Sequence, residues 1–494
     1  MNHYDVIVLG SGNAGLCAAL SAREQGARVA LLERAPLEQR GGNSAYTGGA
    51  FRVAYGGVDD LRLLMPDLLD SEIESSDFGS YTQEAFYDEL AAQSQYRADP
   101  EVLDTVVTES LDTLCWMTRQ GVRFMPIYGR QAFKIDGRYT FWGGLTVEVS
   151  GGGQGLVESL MRRAERNGIE FFYDSRARHL SRDSQGRWQI ECANGQLFSA
   201  DALILATGGF HANLQWRAKY LGPGWDLAKV RGSRYNTGDG IRMALEVGAQ
   251  AHGNWSGCHA VFYDVNAPEL GDLNLLNQQK NYFHLGVVVN ADGKRFVDEG
   301  LDFRNYTYSG MGAKVLQQPG GVAWQLFDQH SEHLLPDEYR VRHATRIQAD
   351  TLQELVAKLE GVNATALLDT LNDYNAAVRR EVPFNPAVRD GRSTVGLAVP
   401  KSNWANPLER PPFVAYAVTC GITFTFGGLK VNSDAQVLDE QGQSITGLYA
   451  AGELVGNLYY VKYAGGAGLT SGSVLGRIAG KAAATHQSSP GQYN

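Results

Sequence analysis

The chain has few cysteines and no apolar run long enough to cross a membrane. Its 494 residues include five scattered cysteines and no C-x-x-C spacing; they are Cys17, Cys115, Cys192, Cys258 and Cys420. This pattern argues against a disulfide framework, attached haem, or a zinc or iron–sulfur site held by the chain itself. No stretch approaches the roughly eighteen apolar residues that a spanning helix needs. We therefore predict no metal site and no membrane span.

Basic residues are also in the minority. The chain has 44 Lys and Arg residues against 54 Asp and Glu residues, a net charge of −10, and no basic run. This balance argues against nucleic-acid binding. The first predicted strand begins at Tyr4, which leaves no room for a signal peptide, so we expect a cytoplasmic protein. The length predicts about two to three domains.

A glycine-rich turn follows the first buried strand, residues 4–9. Gly10, Gly12 and Gly15 stand in G-x-G-x-x-G spacing, and a helical run and a second strand ending at Glu33 come next. In a dinucleotide-binding domain the three glycines allow a tight turn, close approach to a pyrophosphate and close helix–strand packing. The helix N-terminus attracts the phosphates. We expect the Glu33 carboxylate to bind a ribose hydroxyl.

A second cluster of glycines and small polar residues spans residues 40–49. Such a segment lets the backbone press against a flat ligand. A nicotinamide domain does not need it here, whereas a flavin domain does, because its cofactor continues past the pyrophosphate to the isoalloxazine ring. The cluster contains no histidine.

Composition changes near residue 253 and changes back near residue 420. Between these points aromatic residues, asparagines and long loops are more frequent. Before residue 253, the hydrophobic periodicity predicts an amphipathic helical run over residues 102–120. Asn194-Gly195, which lies between two predicted strands, indicates a hairpin turn.

The motifs together resemble the fumarate reductase and succinate dehydrogenase flavoprotein superfamily. The likeness rests on the two glycine clusters, Glu33, residues 206–209 and 238–240, residues 293–299 with Arg304, and residues 451–471. It implies an α/β fold with a Rossmann-like FAD-binding domain in two segments, residues 1–252 and 421–494. An α+β capping domain, residues 253–420, would be inserted between them, with the substrate at the junction.

The resemblance implies FAD as the cofactor, bound non-covalently because the second glycine cluster lacks the histidine through which some relatives attach it. Glu453 would reach the ribityl hydroxyls, and backbone N–H groups of residues 468–471 would face the pyrimidine edge of the ring. The implied cofactor-binding residues are Gly10, Gly12, Asn13, Ala14, Gly15, Glu33, Arg34, Gly41, Gly42, Asn43, Ser44, Gly48, Gly49, Ala177, Ala206, Thr207, Gly208, Asp239, Gly452, Glu453, Gly468, Leu469, Thr470 and Ser471.

The candidate catalytic residues are Arg304, His259 and Tyr463. Arg304 matches the family's catalytic arginine, with a structural ion pair to Asp298 or Glu299 as the alternative. His259 is either a substrate histidine or a core histidine. Fumarate and succinate enzymes carry a histidine where this chain has residues 423–425, and an arginine where it has Tyr463. Their usual substrates therefore do not suit this chain.

The closest likeness is to tricarballylate dehydrogenases, although Ala464 replaces the proline usual in that subgroup. The 3-ketosteroid dehydrogenases also place a tyrosine before such a glycine run. The resemblance thus implies a dehydrogenase or reductase acting on a CH–CH unit beside a carboxylate or carbonyl, with hydride transfer to the flavin. Tricarballylate or a similar polycarboxylate is the first substrate class, and a ketosteroid or cyclic enone is the alternative. Oxygen, a quinone or an iron–sulfur partner protein would accept the electrons. A flavin carrier without turnover is the non-enzymatic alternative.

Overall fold

The computed structural model describes residues 2–142, 144–276 and 278–486. Its strands are β1 (Asn2–Leu9), β2 (Val29–Leu32), β3 (Ala50–Phe51), β4 (Ser76–Asp77), β5 (Phe124–Pro126), β6 (Ala132–Ile135), β7 (Arg138–Phe141), β8 (Val147–Val149), β9 (Glu170–Phe172), β10 (Ala177–Arg182), β11 (Trp188–Cys192), β12 (Leu197–Leu205), β13 (Lys229–Val230), β14 (Ala251–His252), β15 (Cys258–Asp264), β16 (Val287–Asn290), β17 (Ala323–Phe327), β18 (Arg346–Ala349), β19 (Phe413–Thr425), β20 (Gly428–Leu429), β21 (Gln436–Leu438) and β22 (Ser444–Ala450).

The α-helices lie mostly between these strands. They are α1 (Asn13–Glu24), α2 (Val58–Leu64), α3 (Asp70–Glu74), α4 (Gln83–Gln93), α5 (Pro100–Thr108), α6 (Ser110–Arg119), α7 (Tyr128–Gln131), α8 (Gly152–Arg166), α9 (Leu214–Trp216), α10 (Asp239–Glu246), α11 (Arg304–Thr307), α12 (Met311–Leu316), α13 (Gln329–Glu332), α14 (Leu352–Ala357), α15 (Ala364–Ala377) and α16 (Ala467–Ala484). Within the described residues, none of these helices is both long and apolar enough to cross a bilayer.

The larger sheet is a mixed sheet of Rossmann type. Its order is β10-β11-β12-β1-β2-β9, and β22 pairs with the carboxyl half of β12 while β21 pairs with β22. Strands β12, β1, β2 and β9 run parallel, as does β22 beside β12. The hairpin expected at Asn194-Gly195 is confirmed, because β11 and β12 are antiparallel neighbours. Residues 6–9 of β1, all of β2 and residues 202–205 of β12 are apolar and buried, as expected where helices or other strands cover both faces of a parallel sheet.

Two helices from opposite ends of the chain pack closely together beside this sheet. A Cβ atom on Gly480 would lie 2.1 Å from the Ala18 carbonyl oxygen, and one on Gly476 would lie 2.4 Å from that of Ala14. Only glycine permits this approach of α16 to α1. The packing brings the N-termini of both helices to the same end of the sheet, where the ligands of such folds bind.

The smaller sheet is organised around β19, which has 13 residues. β19 pairs antiparallel with β15, β17 and β18 and parallel with β13, and β16 lies beyond β17. A second core, which includes Leu355, Leu367 and Leu371, lies between this sheet and helices α14 and α15. The sheet corresponds to the expected capping domain, and it takes in residues 229–230 and 421–425 as well.

Candidate functional site

A cavity of about 260 Å³ lies between the carboxyl ends of the parallel strands and the smaller sheet. Its wall begins at the glycine turn after β1 and passes the loops after β2, β12 and β22. It then reaches β15, β19 and the N-terminus of α16. An open α/β sheet binds its ligand at this edge. The cavity therefore connects the expected cofactor site with the expected capping domain.

The glycine turn has the geometry that its spacing predicts. Gly10 has φ +104°, and a Cβ atom there would lie 2.4 Å from the Ala206 carbonyl oxygen. A Cβ atom on Gly15 would lie 2.0 Å from the Gly10 carbonyl oxygen. The first and third glycines thus allow the turn and the packing of helix on strand, whereas Gly12 lines the cavity.

Glu33 lies at the cavity wall and is only 6% exposed. Its carboxylate accepts hydrogen bonds from the Ser11 backbone N–H at 2.9 Å, the Ser11 hydroxyl at 2.5 Å and the Ala35 N–H at 2.7 Å. These bonds hold the acid against the glycine turn, in the place where a ribose hydroxyl is expected.

A cluster of charges surrounds the same end of the cavity. Asp239, at the first position of α10, pairs with Arg34 at 2.9 Å. It also accepts two hydrogen bonds from Arg176, at 2.8 and 2.9 Å. All three side chains line the cavity beside Ala177. Arg176 was not identified from the sequence, although it precedes Ala177 directly.

Glu453 joins four segments of the chain. Its carboxylate accepts hydrogen bonds from the Thr425 N–H at 2.9 Å and from the Asn236 and Asn43 amides at 3.2 and 3.3 Å. His211 Nδ1 lies 3.2 Å away. The acid is buried and lines the cavity, so it links the second glycine cluster to the smaller sheet at the middle of the site.

The N-terminus of α16 forms the wall next to the smaller sheet. Gly466 precedes the helix with φ +83°. The Gly468 N–H donates a hydrogen bond to the Tyr463 hydroxyl oxygen at 2.9 Å. Tyr463 is 8% exposed, and burial raises the pKa of its phenol well above the usual value. The phenol therefore stays protonated, with its O–H available to a carbonyl or carboxylate oxygen.

Most of the cofactor-binding residues expected from the sequence line the cavity. Those that do are Gly10, Gly12, Asn13, Ala14, Glu33, Arg34, Gly42, Asn43, Ser44, Gly48, Ala177, Ala206, Thr207, Gly208, Asp239, Gly452, Glu453, Gly468 and Leu469. Those outside the wall are Gly15, Gly41, Gly49, Thr470 and Ser471. The Thr470 hydroxyl donates to the Arg52 carbonyl oxygen, and the Ser471 hydroxyl lies 3.1 Å from that of Tyr459. These two side chains thus support the wall from behind.

Arg304, Tyr463 and His259 all line the cavity. Arg304 Nη2 donates to the Arg130 carbonyl oxygen at 2.5 Å, and its guanidinium lies 4.6 Å from the centre of the Tyr282 ring. Among the residues that the structure describes, its Nε has no hydrogen-bond partner.

The alternative expected for Arg304 was an ion pair with Asp298 or Glu299, and that prediction is wrong. Among the described residues, Arg304 forms neither pair. Glu299 pairs with Arg295, and Asp298 accepts hydrogen bonds from Ser402. The positive charge of Arg304 therefore faces the cavity without a carboxylate partner.

His259 is buried on β15 and stacks on the Tyr463 ring at 4.7 Å with an interplanar angle of 11°. Its Nδ1 has no hydrogen-bond partner within the described part of the chain. Burial, and secondarily the positive charge of Arg231, lowers the pKa of His259 to about 3. The imidazole is therefore neutral at ordinary pH, so it is a weak base, and its contact with Tyr463 holds the plane of that ring.

Several wall residues were not identified from the sequence. They are Arg130, Arg231, Tyr282, Tyr308 and Glu338. Arg130 forms an ion pair with Glu148, and a Glu338 carboxylate oxygen lies 4.0 Å from Arg130 Nη1. The Tyr308 ring packs edge-on against His259 at 4.9 Å. No local motif marks these residues, because loops and strands distant in sequence bring them together.

Comparison with known proteins gives the family. A family model described as an FAD binding domain matches residues 5–469. The chain belongs to this FAD-binding family. The match spans both segments of the large sheet and the inserted smaller sheet, so the chain is an FAD-dependent oxidoreductase with a flavoprotein fold and a capping domain.

Curated relatives share about a quarter of their residues with this flavoprotein. A probable fumarate reductase of Shewanella frigidimarina is 28% identical over 97% of the chain and 75% of its own length. The 4-oxocyclohexanecarboxylate 2-dehydrogenase of Sinomonas cyclohexanicum is also 28% identical, over 97% of the chain and 93% of its own length.

Solved structures show the same fold. The open conformation of a flavocytochrome c3 fumarate reductase superposes with a TM-score of 0.70, at 25% identity, over 98% of this chain and 78% of that chain. A 3-ketosteroid dehydrogenase from Rhodococcus jostii RHA1, in complex with 4-androstene-3,17-dione, superposes with a TM-score of 0.70 at 24% identity, over 98% of this chain and 97% of that chain.

The residues of the cavity fit FAD. Glycines at the turn after β1 let the backbone approach a pyrophosphate, and the N-terminus of α1 offers partial positive charge there. The wall then continues past the small residues of the second glycine cluster to a second helix N-terminus, at α16. An extended dinucleotide with a flat ring at its far end requires this sequence of surfaces.

Proposed function

We propose that the enzyme removes two hydrogens from a CH–CH unit beside a carboxylate or carbonyl, or in the reverse direction adds them to the corresponding C=C bond, with tricarballylate or a similar polycarboxylate as substrate. The observation that carries the proposal is Arg304, a guanidinium in the cavity wall without a carboxylate partner among the described residues. A buried, unpaired cation is costly unless a ligand supplies the opposite charge.

Each residue has a role that follows from its surroundings. Arg304 binds a substrate carboxylate and fixes the reacting carbons relative to the wall. Tyr463, held by the Gly468 N–H, donates its O–H to the carbonyl or carboxylate that makes the adjacent C–H acidic. His259 keeps the Tyr463 ring in place from one face. FAD, when bound, would supply the hydride acceptor or donor, and the Arg304 guanidinium, which matches the family's catalytic arginine, would relay the accompanying proton.

A ketosteroid or another cyclic enone is the second candidate substrate. The pairing of a protonated phenol with a helix N-terminal N–H favours it, since that phenol is suited to one ketone oxygen. His259, Tyr308 and Phe424 also give this part of the wall flat apolar surfaces. The charge of Arg304 has no counterpart on such a ligand, which is why we place it second.

Oxygen, a quinone or an iron–sulfur partner protein would then exchange electrons with the enzyme. The five cysteines are free and scattered along the chain. Non-covalent binding of FAD completes the proposal, because the second glycine cluster contains no histidine to which the cofactor could be attached.

Product analysis tests the proposed reaction. The purified enzyme is incubated with tricarballylate and an artificial electron acceptor, and the product is analysed by mass spectrometry. The proposal predicts loss of two hydrogens and a new carbon–carbon double bond between adjacent carbons of the substrate. Absence of that product, together with turnover of a 3-ketosteroid to its dehydro form, would favour the second candidate.

A further inference from the structure

Arg231 reaches the cavity from the strand pairing between the two sheets. It directly follows β13, and its backbone N–H donates to the Ile422 carbonyl oxygen of β19 at 2.8 Å. Its side chain lines the same cavity as Arg304. The pairing of β13 with β19 therefore fixes the position of this guanidinium.

The Arg231 side chain has one neutral partner. Its Nη1 donates to the Thr423 hydroxyl at 3.1 Å. In the part of the chain that the structure describes, no carboxylate oxygen lies within 4.0 Å of it. Arg231 also lines a small neighbouring recess together with Asp272, but the two side chains form no ion pair. Arg231 thus keeps most of its donors for a ligand.

Two positive charges converge on the same part of the wall. Burial raises the pKa of Tyr308, and the charges of Arg231 and Arg304 act in the opposite direction, as do those of the carboxylate-paired Arg52 and Arg130. The same charge of Arg231 disfavours protonation of His259. Both guanidinium groups therefore lie near the His259–Tyr308 pair.

We propose that Arg231 is a specificity-determining residue that binds a second substrate carboxylate, separate from the one at Arg304. This inference rests on the proposed function and narrows it, because it makes two carboxylates the feature that the enzyme selects. Arginine donates two parallel hydrogen bonds to a carboxylate, so the pair would also set the orientation of the substrate chain.

Three acids test the inference, each with a CH group that carries a carboxylate and lies next to a CH2 or CH3 group. Tricarballylate, methylsuccinate and isobutyrate carry three, two and one carboxylates on related carbon skeletons. Their dissociation constants are measured by calorimetry with the FAD-loaded wild type, Arg231→Gln and Arg231→Lys. The exposed Arg234, in the same loop and outside the cavity wall, supplies the control Arg234→Gln.

We expect Arg231→Gln to raise the dissociation constants of tricarballylate and methylsuccinate by roughly 10- to 100-fold, the effect of a lost charge-assisted bond. The dissociation constant of isobutyrate should change by about two-fold or less. For the two acids with several carboxylates, Arg231→Lys should give constants between those of the wild type and Arg231→Gln. Arg234→Gln should give the wild-type constants for all three acids. FAD content per chain verifies that the variants are folded.

Two results distinguish this inference from the proposed function. An equal effect of Arg231→Gln on all three acids, or none on any, while the wild type still oxidises tricarballylate, would overturn the inference alone. Failure of the wild type to bind any of the acids would overturn the polycarboxylate assignment and the inference together.

Discussion

The Gly468 backbone N–H donates a hydrogen bond to the phenol oxygen of Tyr463, 2.9 Å away. The two residues are at the start of α16 and in the loop before it, so the helix N-terminus holds the phenol in the cavity wall. This arrangement leaves the phenol O–H as a donor to a ligand oxygen. It also makes the substrate class testable at one residue.

Tyr463→Phe removes that donor while keeping the ring. With a polycarboxylate, arginines share the substrate charge, and the change should mainly raise the substrate concentration that half-saturates flavin reduction. The expected increase is roughly 10- to 150-fold, which corresponds to the loss of about 1.5–3 kcal/mol of binding free energy. With a ketone, the limiting rate should instead fall by about 10²-fold. Rapid mixing reads the two quantities separately. Tyr460→Phe is the control, because its hydroxyl lies 3.3 Å from His252 and outside the cavity wall.

Arg304→Lys keeps a positive charge but loses the planar fork of donors. We expect substrate reduction of the flavin to be nearly abolished, with the flavin spectrum unchanged, because a lysine cannot make the same bidentate bonds. The exposed Arg138, changed to lysine, is the matched control. Turnover of Arg304→Lys within a few-fold of the wild type would mean that this arginine has no role in the reaction.

Glu33→Gln should weaken FAD binding by roughly 1–3 kcal/mol, because the carboxylate is the acceptor expected for a ribose hydroxyl. The exposed Glu38, changed to glutamine, controls for the loss of charge. Equilibrium dialysis of the apoprotein with FAD measures both constants. Acid precipitation of the wild type should release intact FAD, and yellow protein remaining in the pellet would contradict non-covalent binding.

His259 makes the free energy of unfolding depend on pH. Its pKa is lowered from 6.5 to about 3 in the folded protein, so the unfolded chain binds a proton between those values that the folded chain does not. Stability is therefore retained above about pH 6.5 and falls as the pH drops toward 3. His259→Phe keeps a stacking ring but no titrating group.

The melting temperature of the His259→Phe variant should fall less steeply than that of the wild type over this range. The exposed His179, changed to phenylalanine, should retain the wild-type slope. Other buried histidines, such as His284, whose pKa is also lowered by burial, will leave part of the slope in every variant. Identical slopes in wild type and His259→Phe would refute the assignment of a neutral, buried His259.

Local motifs made the cofactor half of the site predictable. Gly10, Gly12 and Gly15 lie close together in sequence, and their spacing, together with the apolar strand before them and the helical run and Glu33 after them, predicted the strand, turn and helix. Contacts between distant segments were not predictable in the same way. Arg231 reaches the cavity through the pairing of β13 with β19, which joins residues about 190 positions apart. No periodicity in a single sequence reports such a pairing.

Helix boundaries show the same distinction. Periodicity predicted one helical run over residues 102–120, and the structure has α5 and α6 with a break at Glu109. Both helices have buried apolar faces, so the pattern continues across the break. The surroundings in the folded protein, and not the local pattern, set that boundary.

Anaerobic reduction of the bound flavin by a panel of candidate substrates is the most direct test of the central claim. The panel contains tricarballylate, methylsuccinate, succinate and a 3-ketosteroid, each mixed with the wild type in the absence of oxygen. We predict that tricarballylate bleaches the flavin fastest and that the ketosteroid leaves it oxidised. A flavin bleached by the ketosteroid and unchanged by every polycarboxylate would contradict the account.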